Sequence, residues 1–396
     1  MGEVFLEEEI KILEKHTDRI VIIPINPSGN ITRPISDKIK IEKLTYFKTN
    51  WFKIKSLRYL FSLHVITELN LARLHYKKRI NLKLIKNIIS AYAESTTIKK
   101  FIEKKFKKDQ FNTIYSYWMD EKALAISRLN LNAKKICRAH GWDLYFDRSE
   151  INYLPFKRSI LLTINEVHFI SKNGLNYFIN THKVINLKKL YLSYLGTNVY
   201  NFNNLKKNIT SNKFTILTNG YIYPNKRIEL VIETLSKLKF KAHWIHIGNG
   251  YEEGFFKQIK ILASEILDTN QNISYEFKGQ LSNLNVHKLL YTNQIDIFMN
   301  LSQSEGIPVS IMEAISYKIP IIATNVGGVS EIVKENLNGY LLNPNPNTDH
   351  ISKILTNFYM LNSEERQKYR NASYSIWENN FNAEKNYGIF TELIKK

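Results

Sequence analysis

Short apolar runs alternate with longer helical stretches along almost the whole chain, and this alternation constrains the fold more than any other feature. Strand followed by helix, repeated, builds mostly parallel sheets with helices packed on their faces. In the first half the runs fall at 19–25 (Arg-Ile-Val-Ile-Ile-Pro-Ile), 112–117, 134–139, 166–171 and 188–194. In the second half they fall at 213–219, 242–248, 273–277, 295–300, 319–324 and 338–342. Helical periodicity fits 3–15, 54–76, 83–107, 119–131, 172–182, 226–239, 251–267, 283–292, 308–317 and the tail from 349. Residues 200–212, rich in Asn and Lys, separate the two series and read as a linker. A chain of 396 residues suffices for two such domains, each with its own core. A doubly wound domain normally opens on a strand, yet residue 3 already begins a helical pattern. This reads as a first domain without its first strand, and truncation accounts for that better than design.

Charge divides the halves. Residues 1–200 hold 35 Lys/Arg against 18 Asp/Glu, whereas 201–396 hold 21 against 18. Within 48–135 the balance is 20 against 6, and aromatics are interleaved nearby: Tyr46, Phe47, Trp51, Phe52, Tyr59 and Phe61 among Lys48, Lys53, Lys55 and Arg58. Such a composition suits either a solvated basic face or docking on an anionic membrane surface. Nucleic-acid binding is not expected, because the chain shows neither a recognition motif nor a stacking platform. The single Cys137 excludes an internal disulfide and fits a reducing compartment. The acidic start (Glu3, Glu7, Glu8, Glu9) is the wrong sign for an export signal, and no apolar run approaches membrane-spanning length. A cytoplasmic location is expected.

Chemistry concentrates in the second half. Ser304 to Ala314 reads Ser-Glu-Gly-Ile-Pro-Val-Ser-Ile-Met-Glu-Ala, with Glu305 just before a helix start marked by Pro308 and Glu313 in its second turn. Glu313 lies between Ile311, Met312 and Ile315, where a carboxylate is costly unless something satisfies it. The helix amino end favours an anion such as phosphate. One junction thus suits a phosphate and sugar hydroxyls together, as a nucleotide sugar requires. Three further segments belong with it: Gly220 to Pro224-Asn225-Lys226-Arg227, the turn Gly248-Asn249-Gly250, and Phe277-Lys278-Gly279. A lysine at the first of these can reach a diphosphate above the sheet's carboxyl edge. Each piece alone is a weak signal. Thr324-Asn325-Val326-Gly327-Gly328 closes the series.

In this order the pieces resemble the retaining group 1 (family 4) glycosyltransferases of GT-B fold. The resemblance covers nearly all of 213–345, including Asp296-Ile-Phe, Ser302-x-Ser304-Glu305-Gly306-x-Pro308, Glu313-Ala314, Pro320, Glu331-Ile-Val and Asn338-Gly339. The first half resembles the family through Arg138-Ala-His140-Gly141-Trp-Asp143, Ile170-Ser171 and Leu195-Gly196-Thr197. With the tail Trp377 to Tyr387, this version is similar to the branch that builds bacterial capsular, exopolysaccharide or O-chain glycans.

The resemblance implies two Rossmann-like domains facing across a cleft. Residues 1–199 would form the basic, membrane-facing acceptor side, 200–212 the linker, 213–376 the nucleotide-sugar domain, and 377–396 a helix crossing back. It implies Glu305, Lys226 and His140 as catalytic: Glu305 on the transferred sugar, Lys226 on the departing diphosphate, His140 on the sugar or the reacting face. Glu313 would hold the ribose hydroxyls, with Gly306, Ile307 and Pro308 contributing main-chain groups. Lys278, Gly279 and Gly248 would line the base and phosphate region. Many relatives place Arg directly after the glycine at 220, where this chain has Tyr221; Arg227 is expected to supply that charge instead.

The implied reaction moves a sugar from a nucleoside-diphosphate sugar to a lipid-linked glycan, with retention, at the inner face of the plasma membrane. No cofactor and no metal are expected, in keeping with the absence of any Asp-x-Asp. Two other readings keep the scaffold: a sugar-nucleotide epimerase or hydrolase, and a catalytically degenerate subunit of a polysaccharide-assembly complex, suggested by Tyr221 and the short N-terminus.

Overall fold

In a computed structural model the described residues are 4–27, 35–46, 48–203, 205 and 213–395. Phe47 and most of the expected linker lie outside them. The chain divides into two compact units: Ile10–Ser193 with Tyr387–Lys396, and Met1–Glu9 with Tyr194–Asn386. Helices Val4–His16 and Ala383–Lys395 each contribute residues to both units.

The C-terminal unit carries six parallel strands: β7 (Phe214–Asn219), β8 (Ala242–Ile247), β9 (Ile273–Gly279), β10 (Ile297–Asn300), β11 (Ile321–Thr324) and β12 (Gly339–Leu342). Six further strands, β1 to β6, precede them in the chain and belong to the N-terminal unit. The order is β12-β11-β10-β7-β8-β9, so winding reverses between β7 and β10. The four residues of β10 and of β11 are all buried, as strands covered on both faces must be. Trp244 on β8 fills the core without a stranded polar atom, because its indole N–H donates to Thr218 Oγ1 at 2.9 Å. In a sheet of this order, ligands bind outside the strand carboxyl ends at the point of reversal. Here that point lies between the ends of β7 and β10.

The N-terminal unit has a four-stranded parallel sheet, β3 (Thr113–Ser116), β4 (Lys134–Ala139), β5 (Glu166–Phe169) and β6 (Leu190–Leu192), in sequential order. A separate parallel pair is made by β1 (Ile20–Ile22) and β2 (Ile39–Ile41). No strand precedes β1 among the described residues. The short β2 escapes periodicity analysis because three residues are too few to show alternation. Helix Lys157–Thr163 is likewise absent from the sequence reading.

Two expected helices differ. The stretch 54–76 is not one helix but Asn50–Ser56, a 3-10 turn Leu57–Phe61, helix Leu63–Asn70 and a π turn Leu71–His75. Ser62 takes an extended conformation (ψ 132°) and breaks the run. The expected 226–239 helix starts only at Ile228, because Arg227 sits in the left-handed region at φ 49°. A 3-10 turn, Pro224–Lys226, precedes it.

Candidate active site

Three loop ends meet at the carboxyl edge of the C-terminal sheet. Gly220 N donates to Ile247 O at 2.9 Å, and Gly248 N donates to Gly279 O at 2.9 Å. Gly248 has φ +138°, and a Cβ there would lie 2.1 Å from Gly220 O, so no other residue fits. Beyond β7 the 3-10 turn carries Lys226 back over this edge. Its Nζ lies 2.6 Å from Glu305 Oε1, which also accepts from Asn300 Nδ2 at 3.3 Å. Burial works against the Glu305 charge, but Lys226 outweighs it, and the carboxyl is held below its usual range. The Glu305 carboxylate is therefore ionised at neutral pH.

Asn225 anchors the Glu305 loop. Its Oδ1 accepts from Ser304 N at 3.1 Å and Ser304 Oγ at 2.9 Å, and its Nδ2 donates to Ser304 O at 3.1 Å. From the other side Gly328 N donates to Gly306 O at 2.7 Å. Gly327 adopts φ +55°, and a Cβ there would meet Glu305 O at 1.9 Å. The replacement Gly327→Ala is expected to cost about 2–5 kcal/mol, from left-handed strain plus the clash. Chemical denaturation read against wild type checks this; a stability unchanged within experimental error contradicts the packing of this loop.

Helix Val309–Ser316 opens directly after this loop. Pro308 is its N-cap, and no side chain caps its first turn; Ile311 N and Met312 N donate to Pro308 O at 3.1 and 3.3 Å. Ile307 is buried. Glu313, one turn further, is 8 % exposed and accepts from Asn283 Nδ2 at 2.9 Å. His287 Nε2 stands 3.8 Å away, and burial depresses the imidazole to about 4, so it carries no charge at neutral pH. With no cation beside it, burial raises the Glu313 carboxyl to about 7.

Arg227 is held by main-chain carbonyls. Its Nε donates to Leu301 O, Nη1 to Pro344 O at 2.9 Å and Nη2 to Ser302 O at 3.0 Å. The guanidinium is buried and donates to three main-chain carbonyls, so it braces the β10 loop. Lys278, on the outer strand β9, pairs with Glu276 at 2.6 Å and is exposed; Gly279 beside it has φ +67°. Lys226, Glu305 and Gly306 to Pro308 thus come together, with Glu313 on the same helix. Asn225, Asn300 and Asn283 are the contributors that sequence reasoning missed. In a chain this rich in Asn, nothing in the sequence distinguishes them.

His140 belongs to the other unit, directly after β4. Its main-chain N donates to Asp143 Oδ1 at 2.9 Å, while Asp143 Oδ2 accepts from Met119 N at 2.8 Å. Burial would raise Asp143, yet the His140 hydrogen bond and the nearby Lys157 charge hold it below its ordinary value. One carboxylate so ties the ends of β3 and β4. The imidazole sits among rings, 4.3 Å from Trp118 and 4.6 Å from Tyr117 between centroids, and Trp118 lies 5.0 Å from the half-exposed Trp142.

Residues 201–376 match the family described as Glycosyl transferases group 1. The matched segment holds Lys226, Glu305 and Glu313. The fold class is GT-B: Anabaena HepE, solved in complex with UDP and glucose, matches at TM-score 0.68 and 15 % identity over 100 % of this chain and 96 % of its own. Sucrose-phosphate synthase from Thermosynechococcus elongatus matches at TM-score 0.71 and 12 % identity, over 99 % and 92 %. In sequence, the O-antigen biosynthesis glycosyltransferase WbnH of Escherichia coli is 25 % identical over 252 residues, 63 % of this chain and 68 % of WbnH. An uncharacterised glycosyltransferase of Methanocaldococcus jannaschii is 27 % identical over 199 residues. That match spans 48 % of this chain and about half (52 %) of the relative.

Proposed function

We propose that the protein is a retaining glycosyltransferase that moves a sugar from a nucleoside-diphosphate sugar to a lipid-linked surface-polysaccharide glycan. The observation that carries this is the Lys226–Glu305 pair at the reversal point of the C-terminal sheet, beside an uncapped helix start and one turn before Glu313. In this reading Glu313 accepts from the two ribose hydroxyls, and the loop Gly306 to Pro308 with the helix start takes the diphosphate. Lys226 leaves Glu305 for the phosphate oxygens, and Glu305 turns to the sugar hydroxyls. The sugar–phosphate bond breaks with its electrons on the departing diphosphate, which Lys226 stabilises without a metal or other cofactor. The leaving phosphate takes the proton of the acceptor hydroxyl as that oxygen bonds to the anomeric carbon on the same side. His140 and the Trp118–Trp142 rings receive the acceptor sugar.

The test is release of nucleoside diphosphate from a panel of nucleotide sugars, with and without a lipid-linked acceptor extract and with EDTA. Release that depends on acceptor and persists in EDTA is the expected result. Release without acceptor favours a hydrolase or epimerase, and no nucleotide binding by calorimetry favours a degenerate subunit. Trp142→Ala is expected to raise the acceptor KM about tenfold, as loss of a stacking ring does, while nucleoside-diphosphate affinity stays constant.

A further inference from the structure

The N-terminal unit exposes several large apolar side chains along one stretch of chain where a water-facing surface would be polar. Between residues 54 and 82 the side chains of Ile54, Leu57, Phe61, Leu63, Leu74 and Leu82 are exposed, Phe61 at 83 % and Leu63 at 75 %. Helix Leu63–Asn70 with its π turn shows the arrangement. Val65, Glu68 and Ala72 point into the core, whereas Leu63, Ile66 and Leu74 fall on the opposite side at near-helical spacing. A helix apolar on both sides is ordinarily buried on both, and here one side lies open.

Charge says what covers it. Residues 48–86 contain ten Lys or Arg and a single acid, Glu68. That acid is turned inward and bonded to Tyr153 Oη and Phe156 N, each at 2.6 Å. The surrounding surface therefore keeps Lys53, Arg58, Arg73, Lys77 and Arg79 exposed, and within this stretch the outer surface carries no acid. Its neighbours outside the stretch are Glu94, paired with Lys48, and Glu150, paired with Lys83. Among the described residues no helix is long and apolar enough to cross a bilayer; a face both apolar and basic suits the plane of a membrane interface. A protein partner of matching shape would need both an apolar and an acidic surface; an anionic lipid surface supplies both at once.

We infer that residues 50–82 form a membrane-docking face, with Leu57, Phe61, Leu63 and Leu74 entering the acyl boundary and the basic side chains holding anionic headgroups. This deepens the proposed function, on which its biological sense rests, by assigning the surface that brings the protein to a lipid-linked acceptor. The experiment reads vesicle binding without turnover. Full-length protein is sedimented with vesicles of phosphatidylglycerol and phosphatidylcholine, and with phosphatidylcholine alone. Binding to the anionic vesicles and at least about tenfold less to the neutral ones is expected. Phe61→Ser with Leu63→Ser, and separately Arg73→Glu with Arg79→Glu, should each reduce anionic binding about tenfold or more. Nucleoside-diphosphate affinity, measured in the same samples, should not change.

Full binding by both variants, or none by wild type, overturns the docking face. A concentration-dependent dimer in light scattering that disappears in Phe61→Ser/Leu63→Ser, without vesicle binding, assigns the face to a second copy instead. Vesicle binding by protein that binds no nucleotide keeps the docking face and discards the transferase reading.

Discussion

Replacing Lys226 by alanine is expected to lower turnover about 100- to 1,000-fold, the usual consequence of removing one charge aimed at a developing anion. In the resting structure that charge is committed to Glu305 at 2.6 Å. In the proposed reaction, donor binding would exchange one anion for another. Glu305→Gln separates the two events, because Lys226 no longer has a carboxylate to leave. The diphosphate should bind about tenfold more tightly to Glu305→Gln than to wild type, while turnover falls. Isothermal calorimetry and single-turnover kinetics read the two quantities independently. Weaker diphosphate binding in Glu305→Gln would show that the carboxylate positions the lysine instead of competing for it. Unchanged turnover in both variants would remove the pair from the chemistry. Lys226→Ala also leaves Glu305 buried without its cation, so stability above pH 5 should drop in that variant and recover in acid.

Glu313→Gln should stabilise the free protein at pH 8 while weakening nucleotide binding about 10- to 100-fold, since hydrogen bonds to a charged acceptor are lost. The folded carboxyl is raised to about 7 by burial, against its ordinary 4.5. Between these two values the folded state binds more protons than the unfolded one. Stability therefore falls as pH rises through this window and levels off above it. The difference amounts to about 3 kcal/mol, which glutamine, neutral at every pH, does not incur. Thermal unfolding at pH 5 and pH 8 checks the sign. Wild type and variant should already differ slightly at pH 5 and separate by about 6–12 °C at pH 8. A variant less stable at pH 8 would mean that the carboxylate has a cation partner in solution.

The element series was legible because each parallel strand, buried on both faces, is a short apolar run and each covering helix is periodic. Every strand expected from the sequence has a counterpart, from Ile20–Ile22 to Gly339–Leu342. Legibility failed where local pattern and backbone conformation part company. Ser62 sits inside an apolar periodicity yet is extended, and Arg227 reads as helix but adopts φ 49°. Arg227 also shows why residue type alone misleads. Beside a lysine at a loop-to-helix junction it reads as a second phosphate ligand, but three carbonyls, of Leu301, Ser302 and Pro344, accept from its guanidinium.

The sequence by itself determined the layering of each unit, the order of the glycine-marked loops, and the placing of two acids around one helix start. These are properties of short spacing, and short spacing is what a chain writes down directly. Only the tertiary structure decided that Lys226 rests on Glu305, 79 residues away, and that Asp143 ties β3 to β4 beneath His140. It also decided that Glu68 turns inward while Leu63 and Phe61 turn out. Such outcomes depend on which surfaces meet and on how much water each charge loses, and neither is encoded within one turn of helix or one strand.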